Sequence, residues 1–266
     1  VAQFQREVYT SGVAVGLLAH SLPSTVPGAA VERRRRWLEA EQRIIPTLDL
    51  AVVPSEFMRL AIVRRGMRAA LIRRVPPAPI VDGRSSGGRA GAAQRQVASV
   101  PPSPIPGAVR LLTIANWTFA KGVHRVLTAL RSARDLQWHW TLIGDWNNEY
   151  GRNLHRQMRE ERAEGRVTIR SSSEPDTLRA AYSAADIFVL PSLMESYGLV
   201  FAEALTFALP ILATRSAAVP EVVKGAAALV SAGDDPALRQ RLRELMTDRD
   251  RREALSEAAG REAREL

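Results

Sequence analysis

The sequence predicts an α/β protein built on parallel sheets. Short apolar runs of four to seven residues alternate with helix-like stretches along the whole chain, as strands covered by helices on both faces require. A stretch rich in Pro, Gly, Ser and Ala, residues 76–106, interrupts the alternation and reads as a linker. The expected organisation is therefore a short front piece (1–75), the linker (76–106) and a longer back piece (107–266).

In the front piece, 13–18 is an apolar strand-like run ending at Ala19 and His20. Residues 28–45 are helix-like. They cluster four arginines, Arg33–Arg36, and offer Trp37, Leu38, Ile44 and Ile45 as a buried stripe. LDLAVV (48–53) is the next strand, Ser55 can cap a helix running to Arg65 before Gly66, and 71–75 is a third strand. In the back piece the strands are expected at 109–115, 138–143, 167–170, 187–190, 211–213 and 226–230. The helices are expected at 121–133, 149–161, 174–184, 197–207, 234–246 and 249–265. Leu178, Ala181 and Tyr182 share one face of the 174–184 helix.

Composition sets limits. The 266 residues are 46% hydrophobic and 24% charged, enough apolar material for a real core. There is no cysteine, which excludes disulfide scaffolds, thiolate metal sites and a cysteine nucleophile. The first residue is Val1, so the chain is expected to be a fragment, and no apolar run is long enough to span a bilayer. The formal charge is +9, with lysine only at positions 121 and 224. The front 106 residues hold 15 arginines against 7 acids, whereas the remainder is nearly balanced. Such a basic front half suits phosphate groups or an anionic membrane face, or is simply a solvated surface. Aromatic residues do not interleave with the arginines and no nucleic-acid motif is present, so no nucleic-acid partner is expected.

Ligands of open parallel sheets bind beyond the carboxyl ends of the strands. Residues 191–223, PSLMESYGLVFAEALTFALPILATRSAAVPEVV, follow such a strand. Gly198 permits close approach to the backbone, and the next helix begins with unpaired amides that suit a phosphate. Glu195 lies beside that phosphate site and Glu203 eight residues on, where a carboxylate can accept hydrogen bonds from adjacent hydroxyls. A sugar attached to a phosphate would satisfy both. Equally, Glu195 could cap the helix and Glu203 be a surface acid.

The block resembles the retaining GT-B glycosyltransferases of family 4, the "group 1" glycosyltransferases. The resemblance is carried by Pro191, Ser192, Glu195, Tyr197–Val200, Glu203, Ala204, Pro210, Ala213, Thr214 and the PEVV run 220–223. IANWTFAKGVHRVLTAL, LIGDW and LRAAYSAADIFVLPS resemble further parts of the family's donor domain. LLAHSLPS and TLDLAVVPSEFM resemble its acceptor domain. The resemblance implies two Rossmann-like lobes, the first lacking its opening strands, and a closing helix lost after Leu266. It implies a cytoplasmic bacterial enzyme that moves a sugar from a nucleotide-diphosphate sugar to a saccharide, lipid-linked or small-molecule acceptor, with no cofactor.

The resemblance also implies residue roles. Glu203 binds the ribose, Glu195 the donor-sugar hydroxyls, and the backbone of Tyr197, Gly198, Leu199 and Val200 the distal phosphate. Lys121 neutralises the leaving diphosphate, His20 lies near the donor sugar, and Gly144 belongs to the donor-binding strand end. Asn116 stands where many members place an arginine; it brings a hydrogen bond but no charge, and Arg125 or Arg170 could replace the charge in space. No D-x-D motif precedes the donor site, so metal independence is expected. Peripheral contact with the inner membrane face through the basic front lobe is a further expectation. The competing reading is a nucleotide-sugar-binding module without turnover.

Overall fold

The computed structural model describes residues 16–19, 21–25, 27–83, 105–171 and 174–266. They fall into two compact units. One runs up to Pro77 and includes Met194–Tyr197; the other comprises Ala78–Leu193 and Gly198–Leu266.

The front unit has a three-stranded parallel sheet of β1 (Gly16–Leu18), β2 (Leu50–Val53) and β3 (Ile72–Arg74), in that order. Helix α1 (Val31–Ile44) precedes β2 and α2 (Glu56–Val63) follows it. Ser55 caps α2 as expected, its hydroxyl oxygen accepting the Met58 amide at 3.1 Å. The core gathers Ala51, Val53, Met58, Ile62, Met67 and Ile72. The expected buried stripe on the first helix is not found. No residue of α1 is buried, and Leu38 is exposed. Polar and charged side chains dominate all faces of VERRRRWLEAEQRI, and Ile45, which is buried, lies in a 3₁₀ turn beyond it.

The back unit holds β4 (Val109–Ile114), β5 (Trp138–Ile143), β6 (Val167–Arg170), β7 (Ile187–Leu190), β8 (Ile211–Thr214) and β9 (Ala227–Val230). All are parallel, in the order β6-β5-β4-β7-β8-β9. β5 and β7 are buried at every position, as a sheet covered on both faces demands. Polar atoms of the central strands join them: the Trp140 indole donates to Thr113 Oγ1 of β4 at 3.0 Å, and Thr113 donates to the Val189 carbonyl at 2.6 Å. The helices are α3 (Val123–Arg131), α4 (Glu149–Gln157), α5 (Arg159–Ala163), α6 (Pro175–Ala184), α7 (Leu199–Thr206), α8 (Val219–Val223), α9 (Asp235–Thr247) and α10 (Arg249–Glu262).

Two boundaries differ from expectation. The 149–161 helix is broken at Met158, whose backbone sits at φ −88, ψ 10. The break coincides with full burial of Met158 and of Glu161, which accepts from Arg131 at 2.7 Å and Arg134 at 3.2 Å. The PEVV segment, for which the strand–helix pattern offers no element, forms α8 after Pro at its start, where the missing amide costs nothing.

Candidate functional site

The strand order reverses direction between β4 and β7. Loops after these two strands therefore diverge and leave a crevice, the usual ligand position in doubly wound sheets. The loop after β4 carries Asn116 and Lys121; the loop after β7 leads to Gly198 and α7.

Lys121 was expected to open a helix. It instead ends a 3₁₀ turn, Phe119–Lys121, and α3 starts only after Gly122. Gly122 adopts the left-handed region (φ 71), and a Cβ there would lie 2.4 Å from the Pro191 carbonyl oxygen. This close approach sets the two loops side by side, and the Leu193 amide donates to the Ala120 carbonyl at 2.7 Å. The half-buried Lys121 is thus carried on a loop pinned to the 191–193 turn.

Asn116 and Gly144 meet at the carboxyl ends of β4 and β5. Gly144 (φ 146) leaves no room for a side chain, since a Cβ would sit 1.9 Å from the Ala115 carbonyl oxygen. The exposed Asn116 accepts the Asp145 amide at 3.3 Å, and the Trp117 amide donates to the Asp145 carbonyl at 2.7 Å. Of the two substitute cations, Arg125 is paired with Asp235 at 2.7 Å. Arg170 ends β6, next to β5, on the same sheet edge.

Helix α7 begins at Leu199, two residues later than the 197–207 estimate, because Gly198 is left-handed (φ 91, ψ 59) at its N-cap. Gly198 at the N-cap position offers no side chain to cap it. Glu203 is not a surface acid: it is 3% exposed. Its Oε1 accepts the Ile80 amide at 3.1 Å and its Oε2 the Tyr182 hydroxyl at 2.8 Å. Burial pushes the Glu203 carboxyl above its ordinary pKa, while the Tyr182 hydroxyl and the amides of Ile80 and Val81 pull it back.

Glu195, Ser196 and Tyr197 belong to the front unit rather than to the lobe that their sequence position suggests. There the Ser55 hydroxyl donates to the Ser196 carbonyl, and Glu195 is buried. Ser55 was legible as a cap; its second bond was not. His20 lies outside the described residues. Sequence reasoning also missed the partners of Glu203. Tyr182 lies at core spacing, and only its hydroxyl separates it from a purely apolar residue. The 80–81 amides sit in a segment read as linker.

The doubly wound lobe, with its phosphate-compatible helix start and a buried carboxylate on the helix after the switch-point strand, matches the fold of GT-B glycosyltransferases. Solved structures agree: Alr3699/HepE of Anabaena, crystallised with UDP-glucose, superimposes with a TM-score of 0.78 at 17% identity, over 99% of this chain and 71% of that one. WaaG, a glycosyltransferase involved in lipopolysaccharide biosynthesis, does so at 0.71 and 17%, over 100% and 77%. Residues 102–262 match the family model "Glycosyl transferases group 1", and the chain belongs to that family. A D-inositol 3-phosphate glycosyltransferase of Corynebacterium jeikeium is 31% identical over 91% of this chain and 60% of its own length. The sulfoquinovosyl transferase SQD2 of Arabidopsis thaliana is 37% identical over 33% of this chain and 18% of its own. The chain thus spans less than two thirds of the length of these two curated relatives.

Proposed function

We propose that the chain is part of a retaining family 4 glycosyltransferase, which transfers a sugar from a nucleotide-diphosphate sugar to an acceptor hydroxyl. The observation that carries this reading is the buried, hydrogen-bonded Glu203 on the helix that follows the switch-point strand, in a chain of this family. Crystals of the similar Anabaena protein hold UDP and UDP-glucose, which supports a nucleotide-sugar donor.

In this reading the anomeric carbon–phosphate bond breaks and the carbon–acceptor oxygen bond forms on the same face. The acceptor proton leaves with the nucleoside diphosphate. Negative charge grows on that diphosphate, and the Lys121 ammonium and the amides from Tyr197 to Val200 offset it. Glu203 accepts from ribose hydroxyls, Glu195 from the donor sugar, and Asn116 and Gly144 line the donor side. His20 acts near the sugar. The proposal includes metal independence and no cofactor, the leaving charge being offset by Lys121 and the helix amides.

The proposal places the enzyme in the cytoplasm, with contact to an anionic membrane face through α1. Among the described residues no helix is long and apolar enough to cross a membrane. Thermal shift with UDP, GDP and ADP tests the donor, since a ligand of the native state raises apparent stability. Transfer from the matching radiolabelled nucleotide sugar then separates turnover from binding alone. No stabilisation by any of the three would overturn the reading.

A further inference from the structure

Three donors bear on the Glu203 carboxylate. One is the Ile80 amide, hydrogen-bonded to Oε1 at 3.1 Å, and a second is the neighbouring Val81 amide, both from a strap laid along α7. The strap is itself fastened: Val81 is fully buried, and the Gly83 amide donates to Thr206 Oγ1 at 3.2 Å. Thr206 in turn donates to the Glu203 carbonyl at 2.7 Å. A Cβ at Gly83 would lie 2.5 Å from the Thr206 carbonyl oxygen, so the strap approaches as only glycine allows. The third donor is the Tyr182 hydroxyl from α6, whose ring is fully buried and stacked on Phe207 at 5.1 Å.

That hydroxyl has one hydrogen and two acceptors in reach: Glu203 Oε2 at 2.8 Å and the Val200 carbonyl at 3.2 Å. The shorter bond runs to a charge, and charge-assisted bonds are the stronger. The hydrogen therefore belongs to Glu203 while the carboxylate is ionised, and is free to turn to Val200 once it is not.

We propose that Tyr182 is a positioning residue: from the buried side it fixes one carboxylate oxygen of Glu203, as the Ile80 amide fixes the other, so that the carboxylate is held ionised and aimed for a ribose diol. This rests on the reading of Glu203 as the ribose-binding carboxylate. The opposing influences are burial, which favours the neutral acid, and three donors, which favour the anion. Tyr182 on α6 and the two strap amides are the groups that bear on its charge. Asp82 on the strap, Glu221 on α8 and the Arg and Glu side chains of α10, which packs on α7, are further charged groups on the surrounding elements.

Tyr182→Phe keeps the stacked ring and deletes only the donor, so the fold should persist. Calorimetric titration of the full chain, using whichever of UDP, GDP and ADP binds tightest, should show affinity about tenfold weaker, the scale of one hydrogen bond to a charge. The acid limb of binding should also move to higher pH, because the lost donor lets the Glu203 pKa rise; a packing role alone would not shift it. Carbon NMR of labelled glutamate, without nucleotide, should report the same upward move. Glu203→Ala is the reference. If it leaves affinity unchanged, the ribose reading fails. If it weakens binding while Tyr182→Phe matches wild type in affinity and pH limb, the positioning role fails. An unmoved Glu203 titration in Tyr182→Phe overturns it whether or not any nucleotide binds.

Discussion

In the proposed mechanism two side chains, Glu203 and Lys121, carry most of the chemistry. Glu203→Ala should weaken nucleotide binding by roughly 1.5–3 kcal/mol, the range for hydrogen bonds to charged groups, measured by titration calorimetry; unchanged affinity would point to another carboxylate. The same residue has a stability cost of definite sign. Its folded pKa is raised, so its contribution is fully present below the unfolded value and is lost as pH rises through the folded one. At neutral pH the buried charge therefore opposes folding. Glu203→Gln, which keeps the shape and an acceptor oxygen, should raise the melting temperature at pH 7, with a gain that fades toward acid pH; a lower melting temperature throughout would show that the anion is needed for folding. Lys121→Ala should cut turnover about 10²–10³-fold, the scale of losing one preorganised donor. Lys121→Arg should restore only part, because a planar fork replaces a compact charge. Steady-state transfer assays with both variants decide this, and full activity in Lys121→Ala would remove the residue from the mechanism.

Among the elements, the loop between β4 and α3 is the one whose placement depends on backbone contact. Gly122 and Gly107 share φ 71, yet a Cβ at Gly107 would meet nothing within 4 Å while one at Gly122 would strike Pro191. Gly107→Ala should thus show the left-handed penalty alone, about 1–2 kcal/mol. Gly122→Ala should lose more and should also weaken diphosphate binding, since Lys121 moves with the loop. Urea denaturation of the pair isolates the contact; equal losses would mean that the loop yields at no cost.

At the scale of the whole molecule the asymmetry is electrostatic. The front 106 residues hold most of the +9 charge, and Arg33–Arg36 are all exposed on α1. Arg35 and Arg36 are paired with Glu32, Arg35 also with Glu39, so part of this charge is spent within the helix. Each remaining arginine near an anionic surface is worth about 1 kcal/mol. We expect sedimentation with phosphatidylglycerol vesicles at low salt, lost at high salt and reduced in Arg33→Glu. Absence of binding at low salt would leave α1 a solvated helix.

The doubly wound sheet was legible because each strand is a short apolar run whose residues have no choice but burial, and because punctuation by Gly and Pro separates it from amphipathic helices. The motif of 191–223 was legible because a phosphate-compatible helix start needs a glycine and uncapped amides close together in sequence, and local spacing records that. Three things were not. The burial of Glu203 and its bonds to Tyr182 and Ile80 join residues 21 and 123 positions apart, which no periodicity encodes. Met194–Tyr197 belongs to the front unit, where the Ser55 hydroxyl meets a carbonyl 141 residues away, and no local pattern records that. The exposure of α1 was misjudged because its few apolar residues look adequate until packing is known. Residue chemistry and local period act over a turn of helix or a strand, whereas the pairing of a buried charge depends on which segments the fold brings together.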